Sequence, residues 1–559
     1  MSIEMNRRSV LRTAIGVSGA AAMAPLLSAC GTGGSVKAGG NTKAGLAATL
    51  PTHVPNTSIK ADIPTVSFAN GASTDPGFLS YPANPVATVS GIPGSGGSYT
   101  AVTPLWGTIP SPGNQFYQAV NKALGTTLTM QPANGVTYNT AIPTLTAAQK
   151  LPDWVQLPTW WNAAFEVGEL AGTQLADLTP YLAGDKIKAY PNLAALPTGA
   201  WECGVWDNKL YGIPSFASGT NFAGALYYRE DVFATKGIQA SSITSAADMM
   251  ALGKELTDAK AGVWAFDDIW TYFSPTFGVP SKFRVDGGKL VHRYETAEIL
   301  EALNWHYQLA KSGYMHPSAL AGDSNDAKTR FYGGKVLVTG DGTGAWNLAD
   351  AQSGAAANKA YRRGALPVIA ADGSSTPSIY LGSSASEMSY LSARLKPAQI
   401  KELLAVANYL AAPWGSLEYT LINYGVEGVD YTMVDGVPTA TATGQKNVQQ
   451  QTYPFLATCQ YTVTNPGAPQ ITQDYCAWVA AAAKYAYKPV FWNMNIVVPG
   501  QYATADAAQA VEDTITSIYH GLKPVSAFQD AVSTWKKNGG DAVVAWYQSN
   551  ILDKFGSGQ

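Results

Sequence analysis

Charge is scarce in this chain. Asp, Glu, Lys and Arg make up 13% of its 559 residues, with 36 basic side chains against 39 acidic ones. No positive field is available to neutralise a phosphate backbone, so nucleic acid is excluded as a partner. Histidine is also rare. His53, His292, His306, His316 and His520 are scattered with no His/His or Cys/His spacing that would gather ligands, and no metal is expected. Long apolar runs are missing: the stretch from Thr13 to Leu27 is too short and too rich in Ala to span a bilayer. A Gly-x-Ser-x-Gly nucleophile elbow is absent. Together these gaps leave an exported enzyme few parts to work with, and no cofactor is implied.

What the chain does hold begins with its first thirty residues. Asn6-Arg7-Arg8-Ser9-Val10-Leu11-Arg12 leads into an Ala-rich apolar run that stops at Leu27-Ser28-Ala29-Cys30. Paired arginines resemble a twin-arginine export signal, and an ordinary secretory route is the alternative. Leu-Ser-Ala-Cys places small residues at a signal-peptidase site and a thiol where a diacylglyceryl group attaches. Residues 1–29 therefore read as a signal peptide and Cys30 as the lipidated first residue of the mature protein. Each buried acyl methylene contributes roughly 0.8 kcal/mol, so two or more chains give stable anchoring on the outer face of the cell membrane. Loss of residues 1–29 removes Glu4 and three arginines, leaving 33 basic and 38 acidic residues and a formal charge of about −5.

The chain is too long for one hydrophobic core and predicts two lobes. Trp (15) and Tyr (29) are abundant, and aromatic faces suit the C–H faces of uncharged sugar rings, although most such rings must serve as core. Residues 30–63 are small and polar without apolar period and read as a flexible tether with a reach of roughly 30 Å. Strand and helix signals then alternate: strands at 99–106, 128–131 and 153–157 with a helix at 114–124, then a strand at 225–228, helices at 231–236, 246–256 and 296–312, a strand at 335–339 and a helix at 396–411. This rhythm implies a mostly parallel sheet covered by helices. At the C-terminus Val511, Ile515, Ile518 and Leu522 share one helical face, Phe528, Ala531, Val532 and Trp535 the next, and Asp541 caps a last helix.

Several chemical motifs reduce to structure on inspection. Ser533-x-x-Lys536 lies inside an amphipathic helix. Gly340-Asp-Gly342-Thr-Gly344 lacks the full dinucleotide fingerprint and reads as a tight turn presenting Trp346. Asp267-Asp268 and Glu166/Glu169 are the carboxylates a glycosidase would draw on, but neighbouring Asp side chains diverge and a three-residue helical spacing reads as a solvated face. Cys459 and Cys476 either form a disulfide, which export permits, or remain buried thiols with Cys203; spacing does not separate these.

Seven segments, in order, resemble one family. Leu151-Pro-Asp-Trp-Val155 is similar to its "PDIV" strand, and Leu175-Ala-Asp-Leu-Thr-Pro-Tyr181 to its "DLTPY" turn. Trp206-Asp-Asn-Lys-Leu-Tyr-Gly-Ile-Pro214 resembles the "DGKLYGIP" passage from lobe to lobe. Tyr228-Arg-Glu-Asp-Val-Phe233, Phe331-Tyr-Gly-Gly-Lys335, Asn423-Tyr-Gly-Val-Glu-Gly-Val-Asp-Tyr-Thr432 with Asp435-Gly436, and Lys536-Lys-Asn-Gly-Gly-Asp541 continue the series. On these residues the chain resembles the family 1 extracellular solute-binding lipoproteins of ABC importers, in the oligosaccharide branch. The resemblance implies an α/β fold of two lobes, periplasmic-binding-protein-like, with hinge-crossing strands and a helical C-terminus. Lobe 1 would begin with residues 64–214, lobe 2 would hold 215–375, and 376–559 would return between them. Thr257-Asp-Ala-Lys-Ala-Gly-Val-Trp264 stands where some relatives carry an acidic calcium loop, so no calcium is expected there.

The function implied is capture of a carbohydrate, an oligosaccharide, in an interlobe cleft and its delivery to ABC permease subunits by a monomeric protein without enzyme activity. An exported carbohydrate-active enzyme and a cell-surface adhesin are the rivals. Ligands of doubly wound sheets sit at the C-terminal ends of the strands, which selects Trp106, Trp160, Trp161 and Trp346 in loops after strands. Trp270, in an aromatic loop with Tyr272, completes the set of expected sugar contacts.

Overall fold

The computed structural model describes residues 40–448 and 450–558. The export signal, the lipobox and Cys30 lie outside the described residues. Nine strands build the two sheets that carry the fold: β1 (Ser98–Val102), β2 (Thr127–Met130), β3 (Trp154–Pro158), β4 (Gly212–Ser215), β5 (Ala225–Arg229), β6 (Trp264–Phe266), β7 (Val336–Asp341), β8 (Arg363–Ala365) and β9 (Glu387–Leu391). The first lobe holds the five-stranded sheet β2-β1-β3-β9-β4 and the second the four-stranded sheet β6-β7-β5-β8. In the first, β1 runs parallel to β2 and β3, and β9 runs antiparallel to both β3 and β4. The two-lobe α/β architecture with a helical C-terminus is therefore as the sequence implies, but the sheets are not mostly parallel: β9 is an added antiparallel strand, and in the second sheet β5 runs antiparallel to both β7 and β8, with only β6 parallel to β7.

Local chemistry sets the helices. Helix α1 spans Lys43–Thr49, α2 Gln115–Leu124, α3 Ala246–Leu256, α4 Ala297–Lys311, α5 Pro397–Leu410, α6 Pro469–Ala483, α7 Gln509–Tyr519, α8 Ser526–Trp535 and α9 Asp541–Tyr547. Asn114 caps α2 by accepting from the Tyr117 amide, and Gly125 ends it in the left-handed conformation. Ser245 caps α3, whose Met249, Leu252 and Leu256 enter the second lobe's core. Helices α7, α8 and α9 bury Val511, Ile515, Ile518, Phe528 and Trp535 against Ile299 and Leu303 of α4. Two details differ from expectation. Helix α7 stops at Tyr519, and Leu522, assigned to its apolar face, is 73% exposed. Asp541 is the first residue of α9 and not its cap, because a π-turn over Lys536–Gly540, with Gly539 at φ 107, joins α8 to α9.

The stretch expected to be a flexible tether is laid on the first lobe from Gly40 onward. Asp207 and Asn208 both have positive φ in the hairpin joining Val205–Trp206 to Lys209–Leu210, the geometry of a type I′ turn. The Asn208 side chain accepts from the Thr42 amide at 2.8 Å, and the Asn41 side chain bridges the Val205 carbonyl and the Asn208 amide. Gly45 is required here, since a Cβ would stand 1.7 Å from the Asn208 amide oxygen.

The chain then crosses the hinge. Residues 216–224 and 366–386 connect the lobes, and residues 63–78 lie across both. Ser73 donates its amide to the Gly219 carbonyl, and a Cβ on Gly219 would meet Ser73 Oγ at 2.1 Å. Ala72 is buried with Phe222 and Leu381, one from each connection. Gly77–Phe78 pairs with Val463–Thr464, and the Asn70 side chain donates to the carbonyls of Ala483 and Ala486 at the end of α6. The Asp75 carboxylate accepts from the Ser218 hydroxyl at 2.5 Å and the Gln460 amide at 2.7 Å. Burial pushes its pKa up to about 6, against the lowering effect of these bonds.

A raised acid is stabilising when protonated. Its contribution is full below the unfolded value near 4 and is lost as pH rises through about 6. Asp75→Asn is therefore expected to melt above the parent at pH 7, by an increment on the order of 2 to 3 kcal/mol, and to converge with it at pH 4. A gap that stays constant across a pH series of thermal melts would show that Asp75 ionisation does not load the hinge.

Cys203, Cys459 and Cys476 are all free thiols, so the disulfide alternative for Cys459 and Cys476 is not realised. Burial pushes the pKa of each up to about 11, which keeps them protonated and inert. Among the described residues no helix is long and apolar enough to cross a membrane.

Candidate functional site

The C-terminal ends of β1 and β3, the end of β4 and the start of β9 lie on one edge of the first sheet, because Glu387 is paired with both Pro158 and Ser215. The loops on that edge form an aromatic wall. Trp106 follows the short strand Pro104–Leu105, and its indole lies on the backbone at Gly135, where a Cβ would come within 2.5 Å of the ring. Trp161 stands 6.4 Å from Trp106 and 5.7 Å from Trp160, centroid to centroid. Trp160 is 47% exposed. Thus Trp106, Trp160 and Trp161, three of the five tryptophans selected from sequence, are brought together.

Two further rings complete the wall. Phe455 lies 6.0 Å from Trp106, and Phe216 lies 5.6 Å from Phe455. Phe216 directly follows β4 and has φ 51, a left-handed conformation that costs a non-glycine residue about 1–2 kcal/mol. The positional rule that selects the tryptophans also marks Phe216, a ring that a choice restricted to indoles leaves out. No sequence signal placed Phe455, which reaches the wall from a 3-10 turn at Tyr453–Phe455 and not from a loop directly after a strand.

Beneath the wall is a polar floor. Tyr138 stacks on Trp161 at 6.4 Å and 28°, and donates its hydroxyl to the Gln156 carbonyl at 2.8 Å. Burial raises the Tyr138 pKa well above its ordinary value, with the Glu387 carboxylate adding to it, so the phenol remains a donor. The Gln156 side-chain amide donates to Glu387, whose side chain is nearly buried at the edge of the sheet. The Gln156 Oε1 is buried with no hydrogen-bond partner, an acceptor that normally costs stability when left unmet.

On the second lobe, Tyr272 lies across Gly224 and Gly340, either of which would place a Cβ 2.2 Å from its ring. Trp346 follows β7 as expected but turns edge-on to Tyr227 (5.8 Å) and toward Tyr475 of α6 (6.0 Å), so it braces the sheet against α6. Trp270 stacks on Tyr519 of α7 at 5.0 Å and 8° and meets His306 edge-on; it packs the C-terminal helices onto the lobe. Neither ring joins the Trp106 group. A hollow of about 670 Å³, including its open mouth, lies beside Tyr272 and is lined by Leu226, Met249, Ile369, Tyr380 and Trp478.

The discounted motifs are structural. Asp267 is held by Arg330 through contacts of 2.8 and 3.1 Å, both side chains buried. Asp268 faces His520 at 3.6 Å. Glu166 and Glu169 are exposed. Lys536 pairs with Glu295 and Ser533 is exposed. Gly342 and Gly344 form a turn into a 3-10 segment at Thr343–Ala345. Among the described residues no group of three or more His, Cys, Asp or Glu side chains could hold a metal ion.

Two lobes joined by crossing segments, with an aromatic wall on the facing edge of one, agree with a sequence comparison: residues 106–416 match the model of the bacterial extracellular solute-binding protein family. The chain belongs to that family. Lipoprotein LipO of Bacillus subtilis (strain 168) is 23% identical over 286 residues, which are 49% of this chain and 55% of LipO. The chain thus spans about half the length of this curated relative. The N-glycan transport solute-binding protein NgtS of Streptococcus pneumoniae superposes with a TM-score of 0.58 at 17% identity, over 83% of this chain and 99% of NgtS. A human-milk-oligosaccharide (HMO) binding, ABC-transporter-associated solute-binding protein of Bifidobacterium longum infantis gives 0.58 at 14% identity, over 82% and 99%. At these identities both likenesses are of fold, and they extend the family's architecture from the matched segment to most of the chain.

Proposed function

We propose that this family member is a lipid-anchored receptor that captures an oligosaccharide between its lobes and hands it to the permease of an ABC importer, without chemical turnover. The observation that carries the reading is the wall of Trp106, Trp160, Trp161, Phe216 and Phe455, a set of partly exposed rings at the ligand-bearing edge of an α/β sheet. Stacked rings of this kind bind the apolar faces of successive sugars while hydroxyls are left to polar groups such as Glu387 and Gln156. Closure is then a population shift: ligand contacted by both lobes favours the closed arrangement by its differential affinity for it. The sugar-related names of NgtS and of the Bifidobacterium protein add support by kinship of fold. Incubating the purified protein with an oligosaccharide library, with melting shifts and product both followed, tests the reading. Melting shifts without product are expected, and hydrolysis in molar excess over protein would remove it.

Anchoring is proposed at Cys30, after export through the twin-arginine or the general secretory route. Cys30→Ser is expected to leave melting of the folded body unchanged and to move the protein from the membrane fraction to the medium or periplasm, because only the acyl link is lost. Retention of the variant on membranes after high-salt washing would assign anchoring to another part of the chain.

A further inference from the structure

The loops on the facing edges of the two sheets share a one-sided charge composition. In the first lobe these are residues 106–114, 131–137, 159–166, 216–224 and 382–387, with 450–457 supplying Phe455. In the second they are 267–273, 341–347 and 366–370. None of them contains a Lys or an Arg, while they contain Glu166, Glu387, Asp267, Asp268 and Asp341. Among the described residues, cations that contact these loops from outside them are already engaged: Arg330 holds Asp267 at 2.8 Å, Lys328 approaches Asp341 at 3.5 Å, and Arg363, paired with Asp350, donates to the Ala345 carbonyl at 3.1 Å. Glu387 sits opposite Pro158, the residue before Thr159-Trp160-Trp161, and opposite Ser215, the residue before Phe216, so its carboxylate lies where the two arms of the aromatic wall meet. It accepts from the neutral Gln156 amide, and the buried Gln156 Oε1 beside it is a second acceptor awaiting a donor.

From this arrangement we infer that the cleft selects neutral oligosaccharides and rejects acidic ones, with Glu387 as the residue that enforces the choice by accepting from sugar hydroxyls and repelling carboxylate or sulfate. The inference rests on the carbohydrate reading above and narrows it. Sugar hydroxyls are donors that suit both Glu387 and Gln156. An anionic substituent brings only acceptors, meets a like charge, and finds no guanidinium or ammonium group in any of these loops to pair with.

The test uses the folded protein with neutral manno-, xylo-, fructo-, malto- and N-acetylglucosamine-containing oligosaccharides. Each neutral binder is then compared with the same sugar after oxidation of a primary alcohol or terminal aldehyde to the carboxylate, by calorimetry at low and high salt. Binding of a neutral sugar is expected, with its oxidised form weaker by about tenfold or more and the difference shrinking as salt screens it. Glu387→Gln keeps an acceptor for Gln156 and is expected to narrow the neutral-to-acidic ratio while melting like the parent. Equal or tighter binding of the oxidised sugars overturns the selectivity and leaves the carbohydrate reading standing. An unchanged ratio in Glu387→Gln overturns the role of that residue. Failure of every sugar, neutral and oxidised, removes the carbohydrate reading and this inference together.

Discussion

Arg363→Met is expected to cost about 3–5 kcal/mol of folding stability, because it strands a carboxylate in the interior of the second lobe. Arg363 is 7% exposed at the start of β8 and pairs with Asp350 at 2.8 Å, while its other guanidinium nitrogens donate to the Tyr361 hydroxyl and the Ala345 carbonyl. Its guanidinium also lies 4.4 Å from the centre of the Tyr227 ring. Burial raises the Asp350 pKa, and Arg363 is the main influence opposing that rise. Without the cation, Asp350 is left as a buried carboxylate held only by the Tyr332 and Tyr361 hydroxyls. A second change, Asp350→Leu, removes that charge and is expected to recover part of the loss, since a buried pair is often no better than well-packed apolar groups. Urea unfolding of the parent, both single variants and the double variant measures the coupling. Melting of Arg363→Met within a degree or two of the parent would show that the cluster does not hold the second lobe.

Replacing Trp106 and Trp161 together by Ala is expected to weaken sugar binding by about 2–6 kcal/mol, since each desolvated aromatic anchor is worth on the order of 1 to 3. The single variants should each lose about 5-fold to 150-fold in dissociation constant. Both rings are half-buried, so part of the cost falls on stability; Trp161 also covers Tyr138 and Phe165. Trp160, at 47% exposure, serves as the control that should lose affinity with little change in melting. Trp270→Ala should show the reverse, melting lower and binding as the parent, because its ring is spent on Tyr519 and His306. Normal binding by the folded double variant would place the ligand elsewhere than on the wall.

Much of this fold was legible because its elements carry their own boundaries. Ser245 and Asp248 start α3 where periodicity begins, and Asn114 and Gly125 bracket α2, so spacing and caps agree. Where the sequence misled, long-range contact overrode composition. Residues 40–63 have the small, polar character of a linker, yet Asn41 and Thr42 find Val205 and Asn208, more than 160 positions away. The clustering of rings was legible by position and not by ring. Trp106, Trp160 and Trp161 gathered at the edge the strand directions predict, while Trp346 and Trp270, equally well placed in sequence, were taken up by Tyr227, Tyr475 and Tyr519. Nothing local distinguishes a ring left at the edge of the sheet from one that packs on another helix.

The segment of residues 63–78 across the hinge has a consequence for affinity itself. It touches both interlobe connections and the end of α6, so any difference in its contacts between open and closed arrangements enters the closing equilibrium as a fixed term. The measured dissociation constant is the intrinsic one divided by the fraction of molecules able to close. A bias toward the open form of about 1.4 kcal/mol therefore raises it tenfold. Two receptors with identical ligand contacts would thus scavenge at different concentrations, tuned by the stretch of chain across the hinge.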